Sequence, residues 1–400
     1  MYRSKLQHLI KQVFVTLAIM MMSVVFAGVT AFALEPCNLG EECGDFRRSK
    51  LLKRLDVSIS QKNYSESLSI LENLQIFSWS KVDQRKLQKL ESIIREKFKL
   101  KIKTNFNLAP TSNLNDGSNK SIQPIYIGNQ VIQGNLSPDA RALSGLELML
   151  GVELLKPMYI STNKVISATL SAQRTFKRLD DTSSSKVSNI AHDAYDTSHI
   201  AFGLRHNRKS TRPFDLNMIS AQLVQHYLGN DPYNQQIRVE ANMQGDQHIC
   251  ERQIQVSLEV NNYRSGNDDT VLSSLKCSLA RKRFKIFSVE PYFESKQSFS
   301  LDNNNRVLTI GLGATGSLGL WQKLPLKYAM NIKKNAYNYG YFGGPDREDT
   351  NAFFKLSARL PVSTHIGDLV VSVGHSRTES NVMRYSSDEN FASLVFTQSF

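Results

Sequence analysis

The feature that most narrows the fold is a two-residue alternation of apolar and polar side chains that recurs from Lys99 to the last residue. Leu100, Ile102, Phe106 and Leu108 alternate with Lys99, Lys101, Lys103, Asn105 and Asn107. Leu146, Leu148, Leu150, Val152 and Leu154 alternate with Glu147, Gly151 and Glu153, and Ile237, Val239, Ala241 and Met243 with Arg238, Glu240, Asn242 and Gln244. Ile254, Val256, Leu258 and Val260 face away from Gln253, Gln255, Ser257 and Glu259. Leu324, Leu326, Tyr328, Met330 and Ile332 oppose Lys323, Lys327 and Lys333, while Ala352, Phe354, Leu356, Ala358 and Leu360 oppose Lys355 and Arg359. Successive side chains of a strand point to opposite faces, so each segment is a strand with one apolar and one polar face. About fourteen such segments, most of ten or so residues, occur, and that length crosses a bilayer when tilted. A soluble sandwich also alternates, but its apolar face fills a core. In lipid only a closed barrel satisfies every backbone group of a strand. The predicted fold is mainly β: an antiparallel transmembrane barrel of about fourteen strands, behind a short α-helical module.

Other features bound the domains. Arg3, Lys5 and Lys11, an apolar run from Val13 to Val29 and Ala31-Phe32-Ala33 form a secretory signal over 1–33. No second apolar run is long enough for a membrane helix, and the mean hydropathy is −0.32. Residues 34–97 read as a helical module in the periplasm, with apolar residues at helical spacing in three runs (Leu51 to Ile59, Leu68 to Leu74, Leu87 to Ile94). Within it Lys62 to Leu68 resembles the turn of a tetratricopeptide unit. Residues 98–400 are the barrel. The net charge of +13 would suit nucleic acid, but an exported chain has little access to it; anionic lipid or an acidic cargo fits better.

Four cysteines in an exported chain suggest two disulfides. Cys37 and Cys43 bracket a short loop, and Cys250 and Cys277 flank the polar turn 261–269 on two arms of a hairpin. The connections are expected to alternate long and short. Long ones are 109–141, 177–197 and those near 230, 265, 300, 342 and 384; short ones include Lys156-Pro157, 209–213 and those near 247, 282, 319 and 364.

Chemistry-bearing patterns are sparse. Gly311-Leu312-Gly313-Ala314-Thr315-Gly316 matches a dinucleotide fingerprint in letters, but it opens no helical face and no acid lies about 20 residues on. His248 and Cys250 have no second ligand pair, and His192, His199 and His206 read as solvated or lumen-facing. No catalytic residue, metal or cofactor is expected, and the chain is read as no enzyme.

Two resemblances point to a function. The last strand alternates Ala392, Leu394 and Phe396 with Ser393, Thr397 and Ser399 and stops at Phe400. It resembles the closing strand of bacterial outer-membrane barrels. Lys101 to Asn115 is similar to the first barrel strand of the surface lipoprotein assembly modifier family, which runs into an Asp-Ser-Asn-x-Asn-type sequence. Here Thr111 replaces the Asp, and Ser112, Asn113 and Asn115 are kept. Ser380-Asn381-Val382 with Tyr385 and Asn390 is similar to that family's penultimate stretch. The resemblance implies an outer-membrane translocator for a lipoprotein or secreted protein, with outer-membrane lipid and the barrel-assembly machinery as further partners. The alternatives are a passive anion-favouring porin and a surface adhesin or receptor. In any of these, Lys99, Lys101, Lys103, Lys323, Lys327 and Lys333 form a positive patch on the inner wall. Ser112, Asn113, Asn115, Ser380 and Asn381 meet at the rim, where they pin the seam between the first and last strands.

Overall fold

The computed structural model describes residues 41–400 apart from 128–129, 188–192, 210–211, 213, 246–249, 251–252, 264–269, 280, 285–286, 301–305, 320–325, 341–343 and 361–366. The signal segment, Cys37 and Lys323 lie outside the described residues, as does the side chain of Cys43. The chain divides into two compact units, one ending at Glu91 and the other, except for 62–65, running from Ser92 to Phe400.

The first unit contains α1 (Glu41–Ser60), α2 (Tyr64–Leu74) and the start of α3 (Lys81–Glu96). Lys62, at a φ of 58°, makes the reversal between α1 and α2. Leu55, Ile70, Leu71 and Leu74 are buried, which is what apolar residues at helical spacing produce. The Ser58 and Ser67 hydroxyls meet at 2.8 Å inside that contact, and Arg54 pairs with Glu66 at 3.0 Å. Trp79 closes the end of α2 by donating to the Leu74 carbonyl, with the Arg48 guanidinium over its ring.

The second unit is a closed ring. Its strands are β1 (Lys101–Thr111), β4 (Gly145–Ile160), β5 (Lys164–Leu179), β6 (Thr197–Arg208), β7 (Leu216–Leu228), β8 (Asp231–Gln244) and β9 (Gln253–Tyr263). The ring continues with β10 (Thr270–Ser278), β12 (Phe287–Ser300), β13 (Val307–Leu318), β14 (Leu326–Gly340), β15 (Asp346–Leu360), β16 (Asp368–Ser380) and β17 (Ser387–Ser399). Each pairs antiparallel with the next, and β1 pairs with β17, so fourteen strands leave no edge. A separate hairpin, β2 (Ile122–Ile127) with β3 (Gln130–Asn135), rises from the β1–β4 connection, and β11 (Lys282–Arg283) adds two residues beside β12.

Face assignment follows from exposure. Leu146, Leu150, Leu170, Ile200, Phe202, Leu223, Leu275, Phe299, Ile310, Leu312, Ile332, Phe354, Val373 and Leu394 are exposed although apolar. In every strand they occupy one parity, and the register joins them into one outward band. A continuous apolar band on a closed barrel is the lipid face of an outer-membrane protein. The opposite parity holds mostly small or polar residues, among them Ser167, Thr169, Ser220, Ser372 and Thr309, all buried.

The connections depart from the expected alternation. On the rim away from the barrel's chain ends, only 112–144 and 180–196 are long, and β7 turns into β8 through Gly229 and Asn230 alone. On the near rim, 245–252, 279–286, 319–325 and 361–367 are of middling length. Polar composition marks where a strand stops and does not fix how soon the next begins, which is why sequence misjudged them. Lys156-Pro157 is no turn: both residues lie inside β4 at a register shift, and the reversal comes at 161–163. A bulge accommodates the missing proline donor there. The glycine-rich stretch 311–316 is strand β13, as its lack of a helical face requires.

Candidate functional site

The lumen wall is built by the inward parity of the fourteen strands. Lys101 and Lys103 project inward from β1 at the near rim, in step with Asn105 and Asn107. Lys327 and Lys333 project inward from β14. Lys333 reaches the Glu294 carboxylate on β12 at 2.5 Å, across the inward-facing Gly311 that separates them. Lys99 is not on the wall: β1 starts two residues later, and Lys99 pairs with Glu96 while largely exposed.

Opposite charges on this wall are matched at mid-height. Arg238 pairs with Glu259 at 3.0 Å, and Gln236 donates to the same carboxylate at 2.9 Å. Arg205 stands 3.9 Å from Glu153. Toward the near rim the balance changes. Arg281, Lys327 and Lys355 line a cavity of about 410 Å³ with Glu290 and Ser317. Arg281 donates to the hydroxyls of Ser288 and Ser317, and among the described residues neither Lys327 nor Lys355 has a carboxylate at ion-pair distance. The alternation places both lysines on the polar face. Arg281 has no such signal, since it lies between strands, next to the two residues of β11 that pair with β12. Lys276, inward on β10, stands 3.9 Å over the Tyr292 ring.

The far rim is held by hydrogen bonds centred on the β1–β17 seam. Ser112 extends the ladder past the end of β1: its amide donates to the Asn390 carbonyl at 3.2 Å, and the Asn390 amide to Ser112 Oγ at 2.9 Å. Thr111 Oγ1 donates to Glu389. The β1–β4 connection then crosses to the β16–β17 connection. Ser118 Oγ donates to the carbonyls of Met383 and Ser386, the Asn119 amide donates to Ser386, and the Arg384 amide donates to Gln123 Oε1.

The asparagines named from sequence do other work on the same rim. Asn113 is buried and exchanges two hydrogen bonds with the Gly117 backbone, at 2.9 and 2.8 Å, closing its own loop. Asn115 ties together the Asp139 and Arg141 carbonyls and the Leu143 amide. Asn381 turns from the seam to β15, donating to the Asp346 carbonyl and accepting from the Glu348 amide. Ser380 accepts from the Val382 amide within its own turn. Of the expected seam pair, Asn113 and Asn381, neither side chain bonds across the seam; Ser112, Ser118 and Gln123 do. Asn and Ser serve equally well in local turns, so their presence did not reveal which of them would cross.

The same connection is tied down elsewhere. Lys177 Nζ donates to the Leu114 carbonyl, and Leu114 and Leu143, both fully buried, share a backbone bond of 2.7 Å. Asp180 caps α4 (Asp181–Lys186) by accepting from the Ser183 amide at 2.7 Å and from the Ser144 hydroxyl. These donors, the Ser144 hydroxyl first, hold its carboxyl below the usual aspartate value.

At the near rim the chain ends as the alternation requires. Phe396 points outward beside Phe106, and Phe400 exchanges backbone hydrogen bonds with Ile102. Cys250 and Cys277 form a disulfide with Cα atoms 5.3 Å apart. Cys277 is within β10, whereas Cys250 precedes β9, so the bridge ties a connection to a strand and does not join two strand arms.

No protein-family model matches the sequence, and no curated protein matches it. The structure is similar to those of several outer-membrane proteins. These include OccAB4 of Acinetobacter baumannii, at 8% identity over 76% of this chain and 98% of that one, with a TM-score of 0.38. OpdK of Pseudomonas aeruginosa is similar at 6% identity, 76% and 99% coverage and a TM-score of 0.39. A bacterial polysaccharide outer membrane secretin is similar at 10% identity, 73% and 97% coverage and a TM-score of 0.41. The barrel itself is established by its own closed ladder and apolar outer band.

Proposed function

We propose that this barrel is a passive outer-membrane channel that favours small anionic solutes. The reading rests on the near-rim wall, where Arg281, Lys327 and Lys355 share one cavity with a single acid, Glu290, and among the described residues neither lysine has a carboxylate at ion-pair distance. Unmatched charge on a low-dielectric wall concentrates counter-ions in the water beside it. Matched pairs such as Arg238–Glu259 contribute little net field. A fourteen-strand barrel is wider than the eight-strand size that side chains fill. The test is reversal potential in a planar bilayer under a salt gradient. The wild type should prefer chloride, and Lys327→Glu with Lys355→Glu should abolish or invert that preference. A cation-preferring or non-conducting wild type would refute the reading.

The second reading, export of a lipoprotein or secreted protein, draws on the Ser112-Asn113-x-Asn115 and Ser380-Asn381 motifs. In this structure Asn113, Asn115 and Asn381 are engaged in rim hydrogen bonds, a sufficient reason for their presence. Surface exposure of candidate lipoproteins in cells with and without the gene separates the two: a change in exposure without ion selectivity would favour export.

A further inference from the structure

Two histidines far apart in sequence face each other inside the barrel. His199 on β6 and His226 on β7 are cross-strand partners, both on the inward parity opposite Ile200 and Leu223. Their ring centroids are 5.6 Å apart at an interplanar angle of 50°. A metal–nitrogen distance of about 2.0–2.1 Å with near-tetrahedral angles puts the ring centres of two imidazoles on one ion roughly 5 Å apart. The pair thus stands almost at chelating separation.

A second, independent observation lies on the next strand. Asn234 and Gln236 project inward from β8, and Asn234 pairs directly with His226. Both are 7% exposed, and the Asn234 Oδ1 oxygen accepts no hydrogen bond. Their amide nitrogens explain the orientation. Asn234 Nδ2 donates to Asn261 Oδ1 at 3.1 Å, and Gln236 Nε2 donates to Glu259 and Asn261, each at 2.9 Å. With both NH₂ groups drawn toward β9, the Asn234 carbonyl oxygen is left without a donor, and the Gln236 carbonyl oxygen is turned to the His226 ring, within hydrogen-bonding reach of it. A buried acceptor without a donor is costly, and a cation satisfies it.

The charges nearby do not oppose a cation. Arg238 pairs with Glu259 at 3.0 Å, and Lys103 and Glu153, of opposite charge, both line the cavity beside His199. On the other side of His199 a cavity of about 180 Å³, lined by Asn105, Ser171 and Gln173, gives access to water. Among the described residues no three His, Cys, Asp or Glu side chains converge, so amide oxygens and water must complete the shell. Imidazole with oxygen donors suits a borderline divalent ion and neither a soft monovalent ion nor calcium.

We infer that His199 and His226, with the Asn234 and Gln236 carbonyl oxygens, form a lumen site for a borderline divalent transition-metal ion, with Zn²⁺ as the probe. The site is independent of the channel reading, because it requires only the β6–β7–β8 register. The experiment is calorimetric titration of Zn²⁺ into tagless, detergent-folded, full-length protein, alongside His199→Gln and His226→Gln. Losing an outer-shell partner of a metal site costs about 10–100-fold in affinity, so losing an imidazole should cost at least about tenfold. Ca²⁺ should not compete. Protection of His199 and His226 from diethylpyrocarbonate by Zn²⁺, read by mass spectrometry on the wild type, tests the site without any substitution. Unchanged affinity in both folded variants would overturn the inference, as would modification of the two histidines unaffected by saturating Zn²⁺.

Discussion

At Gly316 a hydrogen stands where any other residue would place a carbon 1.8 Å from the Ser288 carbonyl oxygen. That oxygen belongs to the neighbouring strand and accepts from Tyr328 at 3.0 Å, so it cannot swing aside. Gly316→Ala should therefore part the β12–β13 ladder and cost about 1–3 kcal/mol, the range for overpacking a tight site. Gly134→Ala, whose new carbon would meet the flexible Ile125 side chain first, should be close to neutral. Both are read from urea unfolding in detergent, by the mobility difference between unheated and boiled samples. Equal effects would show that backbone proximity does not set the cost. Sequence identified the glycine stretch and rejected the dinucleotide fold for it, but strand register alone determines which glycine meets backbone. The same holds for the histidines: His199 and His226 are separated by an entire hairpin, and no spacing rule joins them.

Elements were the most legible level. Alternation placed β4, β8, β9, β14 and β15 on their residues because a two-sided environment, lipid and water, imposes one residue type on each face. It failed where neither face is fixed. Lys156-Pro157 reads as a short connection, yet both residues lie within β4, where a bulge absorbs the proline. The loop helix α4 was not visible at all, since Asp-Thr-Ser-Ser-Ser-Lys carries no apolar stripe. Its start depends instead on Asp180, and this gives a pH dependence. A carboxyl held below its unfolded value near 3.9 stabilises the fold fully above that value, and the contribution is lost as pH falls through the lower folded value. Amide exchange at Ser183 should thus be flat from neutral pH down to about 4 and its protection should fall below that. Asp180→Ala should remove the protection at every pH, and protection persisting in that variant would assign the cap to another group.

For the molecule as a whole, the fourteen-strand closure was readable because crossing a bilayer sets the length of each strand, so the alternating segments can be counted one by one. The sign of the lumen was only partly readable. Lys327 and Lys333 share a face, but Lys333 is neutralised by Glu294 from a strand two places away, while Lys327, beside Lys355 and Arg281, has no carboxylate at ion-pair distance among the described residues. Inner-wall charge is therefore a property of register, and the conductance variants above test it at the positions where register leaves it uncompensated.

The hydrogen bonds that carry the β1–β4 connection over to residues 383–390 also set an order of events in time. The donors and acceptors near Ser112, Ser118 and Gln123 are made early in synthesis, but their partners belong to the last segment of the chain. The crossing can form only when β17 has taken its place beside β1, so it acts as a stamp of completion, absent from every partly assembled barrel. In a pulse–chase with protease added outside spheroplasted cells, cleavage within 112–144 should persist until the barrel gains heat-modifiable mobility, then stop. A chain truncated before β17 should remain cleavable throughout, and Ser118→Ala should delay protection without preventing closure. Protection that arrives well before the mobility change would mean that this connection folds without the closing strand.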